Sequence, residues 1–116
     1  MIEIRDYIDA KGHIPYRDWV AGLDASARVR VIASVLRMEQ GNFSLAKSVG
    51  QGLSELRLDF GPGYRVYFGK DGEQLVLLLG GGTKRRQQSD IAAALALWSE
   101  YKKRKREEKD AADKKL

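Results

Sequence analysis

The 116-residue sequence predicts an α+β fold in a single domain, ordered β-α-α-β-β-β-α, with helices packed on a largely antiparallel sheet of about four strands. Three observations carry this. Apolar and polar residues alternate over the first eight positions. Two stretches of helical periodicity follow. Three short strand-like runs, separated by DFGPG and DG, then precede a long amphipathic segment.

Residues 1–8 (MIEIRDYI) place Ile2, Ile4 and Ile8 on one side and read as a strand. Pro15 opens a short helix through about Leu23, since proline suits a first helical position. Asp24 is a good N-cap for a second helix, which ends near Gly41, a C′ glycine. Its buried stripe is expected at Val29, Ile32 and Leu36, flanked by Val31, Val35 and Met38. Residues 42–52 read as loop. Strands are expected at about Leu53–Phe60, Tyr64–Gly69 and Gln74–Leu79, with Asp71-Gly72 as a two-residue hairpin turn. The run LVLLL has no polar face, so it is expected in the middle of the sheet, covered on both sides. The last helix starts near Thr83 or Lys84, runs past Tyr101, and turns Ile91, Ala94, Leu95, Trp98 and Tyr101 inward. Trp19 is also expected in the core.

Several function classes are excluded or left without support. There are no cysteines, so no disulfide framework or thiolate metal site exists, and one histidine, His13, rules out a His-rich metal cluster. No metal or cofactor is expected. The N-terminus has scattered charge and no long apolar run, so it reads as neither a signal peptide nor a membrane span; a cytoplasmic location with no membrane partner is the expectation. The net charge of +5 sits mostly at the end: residues 102–116 hold eight Lys/Arg and four Asp/Glu, leaving 13 basic and 12 acidic residues elsewhere. The domain is therefore expected over residues 1–103. Residues 104–116 read as a charged tail, a helical extension or disordered.

The charge inside the domain is uneven. Residues 57–86 hold six basic and three acidic groups, whereas residues 1–56 balance at seven each. If DFGPG is centred on Gly61, Leu58 pairs with Tyr64, Leu56 with Val66 and Ser54 with Phe68. If Asp71-Gly72 is a two-residue turn, Phe68 pairs with Leu75 and Val66 with Leu77. Both registers put Leu56, Leu58, Val66, Phe68, Leu75 and Leu77 on one face. The other face holds Glu55, Arg57, Arg65, Tyr67, Val76 and Leu78, with Arg57 directly opposite Arg65. Like charges in that position destabilise a sheet by a fraction of a kcal/mol, roughly 0.2–1, and a bound anion removes the penalty. An ordinary surface pair, with Glu55 as a diagonal partner for Arg65, is the alternative. The run Gly80-Gly81-Gly82-Thr83-Lys84 meets the last helix; glycines permit close backbone approach and a helix start offers free N–H groups to an anion. Lys84, Arg85 and Arg86 add positive charge there. The run lacks the GK[ST] ending of a Walker loop, and GPGYRV lacks a third dinucleotide-fingerprint glycine. These residues point to one site for a phosphate-rich ligand, with RNA the foremost candidate.

The segment GLSELRLDFGPGYRVYF followed by LLLGGGTKRRQQSDI resembles the RelE/ParE superfamily of toxin–antitoxin toxins, and more closely the HigB-like addiction module killer proteins. The matching pieces are Glu55-Leu56-Arg57, Gly63 with Tyr64 to Phe68, Gly81-Gly82, Lys84, Gln87 and Asp90-Ile91. The resemblance implies a RelE-like fold and a metal-independent, ribosome-dependent mRNA endoribonuclease that inhibits translation. Arg57, Arg65 and Lys84 are the catalytic candidates it supports, because a phosphorane needs preorganised cations. Gly82, Arg85, Arg86 and Gln87 are the RNA-binding candidates. Where relatives place a Tyr or His at the start of the last helix, this chain has Gln87, Ser89 and Asp90, so Asp90, Tyr67 and a lysine all stay open as acid or base. The implied partners are a cognate antitoxin, of helix-turn-helix type, with mRNA and the ribosome; operator DNA is reached only through the antitoxin complex. A ParE-like DNA gyrase inhibitor and an inactive homologue that only binds its antitoxin are the alternative functions.

Overall fold

In a computed structural model, which describes residues 1–114, helices cover both faces of a five-stranded sheet. The elements are β1 (Glu3–Asp6), α1 (Pro15–Ala21), α2 (Ala25–Glu39), β2 (Ala46–Gly50), β3 (Leu53–Leu58), β4 (Tyr64–Asp71), β5 (Leu75–Thr83), a 3-10 turn (Lys84–Arg86) and α3 (Gln87–Asp113). The strand order is β1-β5-β4-β3-β2; β1 lies parallel to β5 and the other neighbours are antiparallel. The fold is the expected α+β arrangement with one more strand. That strand, β2, falls where a loop was expected. Its sequence AKSVG offers one β-branched residue, and it is an exposed edge strand, so composition does not separate it from loop. It returns to β3 through Gly50, Gln51 and Gly52, all at positive φ.

One core lies between the sheet and α1–α2. Leu56, Leu58, Val66, Phe68, Val76 and Leu78 meet Tyr16, Val20, Val31, Val35 and Met38 there. The second lies under α3, where Leu53, Tyr67, Leu77 and Leu79 meet Ala94 and Trp98, with Ile91, Leu95 and Tyr101 partly buried beside them. The LVLLL strand is indeed interior and buried on both faces, and Trp19 packs against the first core.

Two expectations about facing are corrected. On α2, Val31, Val35 and Met38 form the core side, while Val29, Ile32 and Leu36 are exposed. Both sets have helical spacing, because apolar residues occupy most of the helix circumference; the side carrying the smaller Ala27 and Ser34 packs on the sheet. In the β4–β5 hairpin the connection is three residues, Gly72–Gln74, so Asp71 pairs with Leu75 and Phe68 with Leu78. That moves β5 three positions from the expected register, an odd number. Val76 and Leu78 therefore join the α2 face, and Leu75 and Leu77 do not. The β3–β4 register is as expected, including Arg57 opposite Arg65. At the N-terminus, β1 ends at Asp6, leaving Ile8 exposed while Tyr7 enters the α3 core.

Candidate functional site

The strand β5 runs on through the glycines to Thr83, so GGG is sheet rather than turn. A bulge at Leu79, between the Phe68–Leu78 and Tyr67–Gly80 pairs, resets its register. Two rows then cross β3, β4 and β5 on the α3 face: Arg57–Arg65–Gly82 and Glu55–Tyr67–Gly80. The sequence-derived candidates Arg57, Arg65, Tyr67 and Gly82 are thus brought side by side.

The glycines make room for the protein's own side chains. A Cβ on Gly81 would stand 2.2 Å from the Trp19 ring, and one on Gly82 would stand 1.9 Å from Asp90 Oδ2. Close approach explains Gly81 and Gly82, and the partners are Trp19 and Asp90 rather than a ligand; Gly80 has no such neighbour and instead takes φ +154°. Asp90, in the first turn of α3, is thereby laid over the end of the first row. Burial raises its carboxyl above the ordinary range, with Arg86 opposing.

The residue that sequence reasoning undervalued is Glu55. Its carboxylate is fully buried, accepts a hydrogen bond from Arg57 Nε at 2.5 Å, and accepts two from the Gln87 amide at 3.0 and 2.9 Å. Glu55 is therefore the partner of Arg57 rather than Arg65. It offsets part of the like-charge opposition of the two arginines without any ligand. Alternation placed Glu55 on this face; its spacing two residues before Arg57 was the available signal.

The cations differ in access. The Arg57 side chain is 37% exposed and that of Arg65 only 5%. Arg65 Nη1 donates to the Tyr64 carbonyl at 3.1 Å and lies 4.0 Å from Asp59. Lys84, Arg85 and Arg86 are exposed, and the Lys84 backbone N–H donates to the Gly63 carbonyl at 2.7 Å, which fixes the 3-10 turn against the β3–β4 loop. Tyr67 is buried, and burial with the nearby Glu55 and Asp90 charges pushes its hydroxyl up to about 12. Arg65 Nε, Tyr67 Oη and Asp90 Oδ2 are buried without a hydrogen-bond partner in the protein. Such groups cost free energy and concentrate at functional sites. Chemically, the arrangement presents guanidinium and ammonium groups to an anion beside a carboxyl that burial makes a stronger base. No group of three or more His, Cys, Asp or Glu side chains fit to hold a metal occurs among the described residues. No helix there is long and apolar enough to cross a membrane.

A family described as "Phage derived protein Gp49-like (DUF891)" matches residues 18–115. The chain belongs to this family. Gp49-like proteins are a RelE/HigB-like toxin family of toxin–antitoxin systems, and the family points to an antitoxin as partner. An uncharacterized protein of Haemophilus influenzae is 39% identical over 72 residues, which is 61% of this chain and 73% of that protein. The match to the Gp49-like family takes in all of α3, including Arg104 and Lys105. These two dock the helix to the rest of the molecule: Arg104 donates to the Tyr7 hydroxyl and the Ile8 carbonyl, and Lys105 to Asp71.

Proposed function

We propose that this Gp49-like protein is a toxin that cleaves mRNA as a metal-independent endoribonuclease on the translating ribosome. The observation that carries the reading is the row Arg57–Arg65–Gly82 with Lys84 fixed at its end. In the proposed reaction a ribose 2′-oxygen attacks the adjacent phosphorus, the 5′-oxygen leaves, and a cyclic phosphate remains. The 2′-hydroxyl proton passes to a base, and an acid protonates the leaving oxygen. Negative charge grows on the non-bridging oxygens, where Arg57 and Lys84 are accessible to meet it. Arg65 lies deeper and strengthens the positive field from beneath.

For proton transfer, Asp90 fits better than Tyr67. It is half-buried at the surface of the row, and burial makes its carboxylate a stronger base. Tyr67 is 1% exposed and holds its proton to about pH 12. Gln87 acts through Glu55, as a positioning residue for Arg57, and Arg85 and Arg86 add phosphate contacts.

The test is expression without antitoxin, followed by mapping of mRNA ends. Wild type should arrest growth and leave cyclic-phosphate termini; Arg57→Ala should cut cleavage by about 10²–10³-fold, the usual loss for one preorganised donor. Purified protein should cleave in a translating extract and not act on free RNA. Intact mRNA during arrest, with supercoiling by gyrase blocked, would sink the nuclease reading.

A further inference from the structure

A groove lies on the other side of the sheet edge, and of its lining only Arg57 enters the reaction above. It has a volume of about 300 Å³ and sits between α2 and the end of β3. Arg30, Ser34 and Arg37, at helical spacing, form one wall; Arg57 and Phe60 form the other. The Arg30 guanidinium lies 3.6 Å from the centre of the Phe60 ring. Arg30 and Arg37 are exposed, and neither makes an ion pair among the described residues. The carboxylate on the lining, Asp59, has a side chain 90% exposed and turns toward Arg65 at 4.0 Å.

Arg57 belongs to both places, and the topology explains how. Its backbone N–H donates to the Leu45 carbonyl at 3.0 Å, just before β2 begins at Ala46. Beyond this point β3 has no outer neighbour, so a ligand can pass from the Arg57–Arg65 row round the sheet edge into the groove. We propose that the groove binds the single-stranded RNA flanking the scissile phosphate, with Arg30 and Arg37 on its phosphates and the Arg30–Phe60 stack as a platform for a base. This rests on the RNA reading of the neighbouring site. The volume is at the small end of ligand pockets, roughly 300–1,000 Å³, which suits one nucleotide unit and no duplex. Guanidinium and aromatic planes are the surfaces that sequence-tolerant single-strand binding uses. An acidic protein segment is the competing occupant. Ala33, Leu45 and Leu58 give the groove apolar lining as well, and it is the open guanidinium–aromatic plane of Arg30 and Phe60, a surface for a base, that favours RNA.

The experiment compares 2′-O-methyl RNA, which resists this cleavage, as a dinucleotide and a hexanucleotide, on the full chain. Wild type should bind the hexamer more tightly. Arg30→Ala/Arg37→Ala should remove that advantage and leave dinucleotide affinity unchanged. Arg37→Glu, which keeps the Arg30–Phe60 contact, should act in the same direction and guards against misfolding of the double variant. Each lost phosphate contact on a single strand flattens the slope of log affinity against log salt by about 0.7. Two contacts make it about 1.4 shallower, so about sevenfold of wild type's loss between 50 and 200 mM salt should disappear. Hexamer binding and salt slope equal to wild type in both variants, while Arg57→Ala weakens both RNAs, would overturn the groove and leave the proposed function standing. Absence of any RNA binding by wild type would remove both. Retained hexamer binding with loss of the antitoxin would make the groove a protein dock and overturn the RNA assignment.

Discussion

Replacing Gly82 by alanine tests the central contact of the site. The new Cβ would stand 1.9 Å from Asp90 Oδ2, 2.7 Å from its Cγ and 3.5 Å from its Cβ. Only the last is an ordinary contact, so the carboxylate must leave or the α3 start must lift. Aspartate is too short to swing clear without rotating about its first bond, and Gly82 is pinned by pairing with Arg65. Overpacking of this kind costs about 1–3 kcal/mol, and a chain of this size loses roughly 4 °C of Tm per kcal/mol. Asp90→Ala alone removes a buried, unpartnered oxygen and a first-turn anion. These effects oppose each other, so the variant should stay within about 1 kcal/mol of wild type. In the double variant only the 3.5 Å contact is left, and Gly82→Ala should then be nearly free. Urea unfolding of the four proteins gives the coupling energy, expected at about 1–3 kcal/mol in favour of the double variant. Additivity within about 0.5 kcal/mol would refute the contact between Gly82 and Asp90. A pH series reads the same burial. Burial raises the Asp90 carboxyl above its ordinary 3.8. Its favourable contribution is therefore full below about pH 3.8 and is lost as pH rises through the raised folded value. Asp90→Ala should gain on wild type as pH climbs over that interval.

Two further outcomes follow from the packing. Glu55→Ala leaves Arg57 and Gln87 without their shared acceptor; breaking a buried pair costs about 3–5 kcal/mol, and the partial exposure of Arg57 sets the low end, roughly 3 kcal/mol, as the expected fall in urea unfolding free energy. Asp71 accepts hydrogen bonds from Lys105 and Tyr101, which hold its carboxyl below the ordinary range. Its stabilisation is present above the unfolded value near 3.8 and lost as pH falls through the lowered folded value, so the gap between wild type and Asp71→Asn should close in acid. Because Lys105 is largely exposed, that gap should be about 1 kcal/mol or less, read from urea midpoints.

How much of this was legible in the sequence depended on whether a segment has one buried face or two. The β3–β4 hairpin could be registered because Arg57 and Arg65 had to share a face away from Leu56 and Val66, and a slip by one residue would have buried both charges in the α2 core. For β5 that constraint is absent. Val76, Leu77, Leu78 and Leu79 are all buried, so either parity satisfies the hydrophobic pattern, and only the turn decides. A three-residue connection through Gly72 at φ +70° decided it the other way. The same ambiguity explains α2: an apolar set at Val29, Ile32 and Leu36 is as periodic as the set that packs, and only contact with the sheet distinguishes them.

The site shows the complementary limit. Two arginines opposite each other look, in sequence, like a repulsion that only a ligand can relieve. In the folded chain Glu55 supplies relief from below, and Gln87 on α3 completes its shell. The repulsion argument for a bound anion is therefore weaker than it looked. The argument from access is stronger, since Glu55 is fully buried while Arg57, Lys84, Arg85 and Arg86 all reach solvent. A buried acid that holds an arginine in place while leaving part of its guanidinium open fixes the direction of a positive charge, and preorganised charge is what phosphate chemistry requires. The like-charge pair of the sequence stands side by side on β3 and β4 in the structure, but repulsion alone does not describe it. The Glu55 carboxylate in the neighbouring row holds Arg57, and Gly82 leaves room for Asp90 at the end of the arginine row, so the two arginines are oriented rather than merely adjacent.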